Sequence, residues 1–335
     1  MLNLLKFLGG SGISLLLICA IALGATIGHF SPASGARLGD RIDPTLLVLI
    51  GLLFFGVRFD AIVRALGHLR FIALALLANF VCIPFIGWGI ASVILPHYPL
   101  FMVGLVIYFM SPCTDWFLGF TRLAKGNVAL GMALIPVNMV VQLLLYPLYL
   151  HLFTRNVVLV EPGLIGSTLL QWFLLPLVVA VVAHYLLRLL LGAVRFERVL
   201  AGTDATTPWL IAPLIAEIFA ANIETILAHL GVFGWLLLAV FLFFAATFVL
   251  GEALSRLARL HPPEHALLTM TIAARNAPLM LAVTMAALPD QPMVHAAIVI
   301  GMLLEFPHLT LLRHLLLRGV RPAPDQPISQ TQEIA

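Results

Sequence analysis

The sequence predicts an all-α polytopic membrane protein, with ten transmembrane helices arranged as two inverted five-helix repeats. Of the 335 residues, 62% are hydrophobic and 10% are charged, whereas about 25% of the residues in soluble domains are charged. The apolar runs are long enough to cross a bilayer core of about 30 Å as helices, and they lack the strict alternation of membrane barrels. This composition argues against a soluble enzyme, a nucleic-acid-binding protein and a disordered chain.

Ten apolar stretches are predicted to cross the bilayer, at about 20 residues for each helix. In chain order they cover residues 12–30, 43–57, 69–95, 98–123, 127–153, 163–190, 206–226, 232–256, 264–288 and 292–317. The second is short and is expected to tilt, to pack against neighbours or to thin the bilayer. The first is expected to be a retained span, although a signal peptide also fits. Residues 321–335, which are rich in proline and polar residues, are predicted to form a disordered tail.

The positive charges give an independent test of the ten spans, because cytoplasmic loops collect Lys and Arg. If both termini and the alternate loops lie on one side, that side holds 14 Lys and Arg and the other side holds three. The remaining cation, Arg275, falls inside a span. We therefore expect an even number of spans in the cell membrane, with both termini in the cytoplasm.

The positions of the prolines suggest an internal duplication. Three pairs recur at matching places in the two halves, namely Pro44 with Pro208 at the starts of spans two and seven, Pro112 with Pro278 inside spans four and nine, and Pro147 with Pro307 inside spans five and ten. The offsets are 164, 166 and 160 residues. Because each unit has five spans, the second copy would insert with opposite topology, as in secondary transporters. With 21 prolines in the chain, coincidence is the competing explanation.

Pro112 and Pro278 differ from the other pairs because polar residues surround both. A proline inside a helix removes a hydrogen bond, and the carbonyls freed at membrane depth need a partner or line a cavity. Span four reads SPCTD over residues 111–115, and span nine reads RNAP over residues 275–278. Broken helices at matching places indicate a binding site at the centre of the membrane. Two ordinary kinks in a bundle are the alternative.

Asp115 and Arg275 lie near the middle of these two spans, where an ionised side chain costs about 2.5–3.5 kcal/mol. We expect them to approach each other across the repeat interface, either in a substrate site or as a static ion pair. Thr114 and Asn276 adjoin them and belong to the same candidate substrate site. Two carboxyls are candidates for proton coupling, namely Asp115 and Glu305, which lies in the last span. A protonated, hydrogen-bonded structural role for Glu305 is the alternative.

Cys113 is the cysteine that lies beside polar residues and a helix break. Thiolates select soft species such as Cu(I), and the same logic extends to trivalent arsenic, so Cys113 is a candidate substrate ligand. Cys19 and Cys82 are predicted to be packing residues. The cysteine spacing does not match a metal or redox pair, and the segment HPPEH at 261–265 lacks the spacing of a zinc helix. We expect no metal and no cofactor.

At these residues the chain resembles the superfamily of bile acid:sodium symporters and arsenical-resistance permeases. The arsenite-efflux branch is similar in three stretches, SPCT at 111–114, LAKGN at 123–127 and LEFP at 304–307. The resemblance implies that Cys113 and Glu305 are required for transport. Span nine departs from both branches at Arg275, where a cation should repel Na⁺.

The resemblance also implies two groups of helices that move against each other. Residues 1–68 and 159–231, which hold spans one, two, six and seven, would form a panel. Residues 69–158 and 232–320, which hold the other six spans, would form a core in which the broken helices four and nine cross.

Two transport functions fit the sequence. The first is a secondary transporter with alternating access that exports arsenite or a related soft oxyanion, driven by the proton or electrochemical gradient. The second is an uptake carrier for an organic anion, like the bile acid:sodium symporters, in which Arg275 pairs with a carboxylate. An intramembrane enzyme is disfavoured because the chain has no zinc motif and no Ser/His constellation. The expected partners are the bilayer and a small anion or metalloid. No nucleic-acid partner is expected, and the sequence is compatible with a homodimer.

Overall fold

The computed structural model describes residues 10–56, 66–113, 117–154 and 175–319. Thr114, Asp115 and the predicted tail at 321–335 lie outside these ranges. The described part of the first half forms helices α1 (Gly10–Phe30), α2 (Pro32–Gly39), α3 (Ile42–Phe55), α4 (Leu69–Leu77), α5 (Ile83–Ile94), α6 (Pro99–Phe109), α7 (Phe117–Leu123) and α8 (Val128–Thr154). A π-helical turn over Ala78–Cys82 joins α4 to α5.

The second half is also helical where it is described. It forms α9 (Leu175–Leu227), α10 (Phe233–Ala258), α11 (Pro262–Ala273), α12 (Ala277–Ala287) and α13 (Pro292–Gly319). At Gly192 within α9 the backbone takes φ 73° and ψ 160°, a conformation that is essentially restricted to glycine. The two arms of α9 on either side of Gly192 correspond to predicted spans six and seven.

The chain is a polytopic, all-α membrane protein. Within the described ranges, five helical segments are long and apolar enough to cross a bilayer, namely Leu69–Ile94, Val128–Tyr146, Leu175–Glu224, Leu230–Ala258 and Pro292–Arg318. Three shorter apolar helices cover Leu15–Phe30, Pro99–Phe109 and Ala277–Ala287. Each of the ten predicted spans overlaps a helix, but the count of ten crossings and the inverted repeat stay predictions.

Prolines lie at several helix starts. The N–H groups of the first helical turn have no intrahelical acceptor, so the absence of an N–H in proline costs no hydrogen bond there. Pro44 lies in the first turn of α3, as predicted, and α11 begins at Pro262. The prediction that Pro208 begins a helix is wrong, because α9 continues through it. The hydroxyls of Thr206 and Thr207 donate back to carbonyls four residues earlier, at 2.8 and 3.1 Å, so these side chains do not cap a helix start.

The helices pack as two groups that share an interface. In one group, α9 packs against α1, α2 and α3. In the other, α13 packs against α6, α10 and α12, and α10 packs against α5 and α11. Contacts of α13 with α1 and α9, and of α12 with α3, connect the two groups. The second group contains both helix breaks.

Glycines let α6 approach α13 closely beside the break. A Cβ at Gly104 would meet the carbonyl oxygen of Val294, and a Cβ at Gly301 would lie 2.6 Å from Cδ1 of Tyr108. Small residues allow this kind of close helix packing in membranes. As a result, the Tyr108 ring lies against the backbone of α13, near Glu305.

Candidate functional site

The two broken helices meet at their breaks. The break between α6 and α7 and the break between α11 and α12 form an antiparallel bridge in which Pro112 and Arg275 lie opposite each other. Two backbone hydrogen bonds close the bridge, from the N–H of Cys113 to Ala274 O at 3.0 Å and from the N–H of Asn276 to Ser111 O at 2.9 Å. Each break thus satisfies backbone groups of the other, as the membrane interior requires.

Asn276 and Pro278 begin the second half of the broken helix. The side-chain oxygen of Asn276 accepts a hydrogen bond from the N–H of Leu279 at 3.3 Å and caps α12. Pro278 is the second residue of α12, where its missing N–H costs nothing. Asn276, which the sequence assigned to substrate binding, therefore has a structural role in ending the break.

Arg275 is completely buried and binds backbone carbonyls. Its guanidinium donates to Phe109 O at 2.8 Å, Thr271 O at 3.0 Å and Ile272 O at 2.6 Å. These carbonyls belong to the last turns of α6 and α11, where they have no intrahelical partners and carry the negative end of the helix dipole. One guanidinium therefore neutralises the C-terminal ends of two half-helices.

Aromatic rings cover this guanidinium. Its central carbon lies 5.8 Å from the centroid of the Phe243 ring, within the range of a cation–π contact. Phe243, on α10, stacks on Phe109 with a centroid distance of 3.9 Å. The rings shield the charge from lipid and place a third helix over the crossing.

Glu305 fixes the last helix to the crossing. Its Oε1 accepts a hydrogen bond from the backbone N–H of Arg275 at 2.9 Å, and its Oε2 accepts one from the hydroxyl of Tyr108 at 3.3 Å. All three residues are completely buried. Tyr108 was not identified from the sequence, although a lone tyrosine in the apolar α6, four residues before Pro112, was an available signal.

Cys113 is completely buried, and its backbone N–H forms one of the two bonds of the bridge. The predicted contact between Asp115 and Arg275 cannot be described, because Thr114 and Asp115 fall outside the described residues. Cys19 is exposed on α1, so the prediction that it packs internally is wrong. Among the described residues, no group of three or more His, Cys, Asp and Glu side chains could hold a metal ion.

Three buried amide side chains and one threonine form a second polar feature. We call it the polar seam and define it as Asn79, Asn138, Gln142 and Thr271. The amide nitrogens of Asn79 and Asn138 each donate to the hydroxyl of Thr271 at 3.4 Å, and that of Gln142 donates to the sulfur of Met280 at 2.9 Å. The three amide oxygens have no hydrogen-bond partner in the described part of the chain. Thr271 lies one helical turn before Arg275, so the seam begins at the crossing.

The π-helical turn that carries Asn79 has a local cause. Pro84 has no N–H, so it cannot donate the helical hydrogen bond to the carbonyl of Phe80, four residues earlier. The hydroxyl of Tyr149, on α8, donates to that carbonyl instead. This bond ties α8 to the turn, and Asn79 within the turn donates to Thr271 on α11. Such π turns are frequent at functional sites.

The comparisons with known proteins agree with the resemblance seen in the sequence. The model of the Sodium Bile acid symporter family matches residues 44–253. The probable sodium/metabolite cotransporter BASS2, chloroplastic, from Oryza sativa subsp. japonica is 25% identical over 241 residues. This alignment covers 70% of the chain and 54% of the relative, so the chain spans about half the length of that relative. Because the family match covers more than half of its residues, the chain belongs to the sodium bile acid symporter family.

Proposed function

We propose that the protein is a secondary transporter that works by alternating access and exports arsenite or a related soft oxyanion, driven by the proton or electrochemical gradient. The observation that carries the proposal is the crossing of two helix breaks at a buried thiol, Cys113. Half-helices that end at the centre of a membrane protein are typical of transporter binding sites. Membership of a symporter family supports the same class of function.

The chemistry of the site favours a small hydroxylated solute. At neutral pH arsenite is the uncharged molecule As(OH)₃, which offers hydroxyl donors and a soft central atom. The polar seam offers amide oxygens without donors, on Asn79, Asn138 and Gln142, and Cys113 offers a soft sulfur ligand. A single sulfur gives a weak site, which suits a substrate that has to be released.

The proposal includes ten membrane crossings that are arranged as two inverted repeats. The antiparallel meeting of the breaks at Pro112 and Pro278 supports the repeat, whereas the continuation of α9 through Pro208 removes one of the three proline pairs. The two packing groups of helices support a panel at residues 1–68 and 159–231 and a core at 69–158 and 232–320. Their relative motion would expose the crossing to each side of the cell membrane in turn.

Proton coupling is assigned to Glu305, with Asp115 as the second candidate. Glu305 contacts the backbone of the crossing directly, so a change in its charge alters the bonds that join α13 to the break. Intramembrane carboxyls of this kind are characteristic of proton relays.

An organic-anion carrier is the alternative function, favoured by the name of the relative, a probable sodium/metabolite cotransporter. That alternative assigned Arg275 to the substrate carboxylate. The described guanidinium contacts are with backbone carbonyls in a completely buried position. The Nε of Arg275 has no hydrogen-bond partner among the described residues, but it is as buried as the rest of the side chain. An anion would have to enter this closed position, which makes the alternative the weaker of the two.

Everted membrane vesicles energised by respiration test the proposal. We expect vesicles that contain the protein to accumulate arsenite and Cys113→Ser to abolish the accumulation. Cys19→Ser is the matched control, because this cysteine is exposed on α1, and it should transport normally. Equal accumulation by the Cys113→Ser variant would rule out the role of the thiol. Inward, Arg275-dependent flux of an organic anion without arsenite transport would favour the alternative.

A further inference from the structure

We propose that the Arg275 guanidinium is a built-in cation that takes the place of a sodium ion at the crossing, so that the protein binds no sodium there and transports without it. The statement about transport rests on the proposed function. The statement about sodium binding rests on the crossing alone.

The crossing is a place where a cation is required. α6 and α11 both end there, and their terminal carbonyls lack helical partners. The C-terminal ends of half-helices and unwound carbonyls in membranes are the groups that coordinate Na⁺ in transporters. Two such ends meeting at membrane depth leave partial negative charge that water cannot solvate.

In this chain a side chain already meets that requirement. The guanidinium binds carbonyls from both ends, namely those of Phe109, Thr271 and Ile272, at 2.6 to 3.0 Å. Arg275 is completely buried, and the ring of Phe243, which stacks on Phe109, lies over it. A sodium ion at the same carbonyls would meet a permanent positive charge in a medium of low dielectric constant, where like charges repel strongly.

A tethered cation differs from a bound sodium ion in how it can couple transport to an ion gradient. A sodium ion enters and leaves its site and can therefore link its own gradient to the substrate. The guanidinium stays charged in proteins and cannot leave the chain, so it stabilises the crossing without contributing an ion gradient. The driving ion must then act elsewhere, and Glu305, whose Oε1 accepts a hydrogen bond from the backbone N–H of Arg275, is a described carboxyl bonded to the crossing.

The binding part is tested by thermal unfolding of the purified full-length protein and by ²²Na⁺ binding, with choline chloride replacing NaCl at equal ionic strength. We expect the melting temperature of the wild type to be the same in both salts and no saturable ²²Na⁺ binding. Arg275→Ala should melt at a lower temperature in choline and recover in part with Na⁺ or guanidinium ions, which fit the vacated carbonyls. Arg275→Lys keeps a tethered cation and should be insensitive to sodium.

Arg256→Ala is the matched control, because this exposed arginine pairs with Glu252 on the surface of α10, and sodium should not affect it. A sodium-dependent rise in the melting temperature of the wild type, or saturable ²²Na⁺ binding to it, overturns the inference. The same holds if Arg275→Ala folds but responds to neither cation. If Arg275→Ala does not fold, the wild type and Arg275→Lys still decide the result.

Arsenite accumulation in everted vesicles tests the transport part. We expect equal rates in sodium-containing and sodium-free buffer. Transport that requires sodium overturns the inference but leaves the proposed function intact. The absence of arsenite transport in both buffers contradicts the proposed function, while the binding measurements still decide whether Arg275 acts as the built-in cation.

Discussion

At the scale of single residues, the crossing depends on one hydrogen-bonded group of buried polar side chains. Arg275 neutralises two helix ends. Glu305 accepts a hydrogen bond from the backbone N–H of Arg275 and another from the hydroxyl of Tyr108. In a buried group of this kind, the low dielectric that strengthens each bond also raises the cost of removing a partner.

Removing the Tyr108 hydroxyl tests this group. Tyr108→Phe leaves Oε2 of Glu305 without its described donor, which should lower the free energy of unfolding by about 1–3 kcal/mol. Denaturant unfolding in detergent measures the change. Tyr185→Phe, at a position 42% exposed on α9, is the control and should be close to neutral. Equal stability of the two variants would contradict the role of Tyr108.

Replacing the Glu305 carboxyl separates structure from proton coupling. Glu305→Gln keeps an oxygen that accepts the N–H of Arg275, so the variant should fold and retain a melting temperature near that of the wild type. Because an amide cannot carry a proton through the cycle, arsenite export driven by a proton gradient should be lost. Glu224→Gln, at an exposed position on α9, should transport normally. Normal transport by Glu305→Gln would assign Glu305 a purely structural role.

The residues of the site were partly visible in the sequence. Arg275 and Glu305 were found because charges are expensive in apolar spans, and Cys113 because it adjoins a proline. The hydrogen bonds of Arg275 could not be predicted, since backbone carbonyl acceptors leave no mark in the sequence. Tyr108 was missed because tyrosine is ordinary in an apolar helix unless its hydroxyl meets a buried carboxyl.

At the scale of helices, the meeting of α6 and α13 positions the carboxyl of Glu305. Gly301 gives the Tyr108 ring the space that this contact requires. Polar residues beside Pro112 and Pro278 predicted breaks at these two prolines, and the helices are interrupted there. A proline removes one hydrogen bond but need not end a helix, and α9 continues through Pro208, so the predicted helix start there is wrong.

A methyl group at position 301 tests the packing of these helices. Gly301→Ala would place its Cβ 2.6 Å from the Tyr108 ring, and overpacking of this kind costs about 1–3 kcal/mol. The free energy of unfolding and arsenite transport should both fall, because the ring carries the donor to Glu305. At Gly89, on α5, a Cβ would meet nothing within 4 Å, so Gly89→Ala should not destabilise the protein. Equal effects of the two substitutions would contradict the described contact.

At the scale of the whole molecule, composition and charge were the most informative features of the sequence. They predicted a helical, polytopic membrane protein, which the structure and the family confirm. The proposed orientation depends on the positive-inside rule. The grouping of helices into a panel and a core came from the resemblance, because packing between distant segments cannot be read from local sequence.

Accessibility of introduced cysteines tests the orientation. The test introduces one cysteine at a time into a background without the three native cysteines. Position 97, in His97→Cys, lies between α5 and α6 on the predicted outer side, and position 122, in Arg122→Cys, lies at the end of α7 on the predicted cytoplasmic side. A membrane-impermeant maleimide applied to intact cells should label position 97 and not position 122. Permeabilised cells provide the control, in which both should react. Labelling of position 122 alone would reverse the proposed orientation.

The arsenic X-ray absorption spectrum of the purified protein with bound arsenite tests the proposed substrate site directly. We propose that the metalloid binds between the thiol of Cys113 and the oxygens of the polar seam. We therefore expect a single sulfur neighbour in addition to oxygen neighbours, and loss of the sulfur in Cys113→Ser. A spectrum with oxygen neighbours alone, or a sulfur neighbour that persists in that variant, would contradict a substrate site at the crossing.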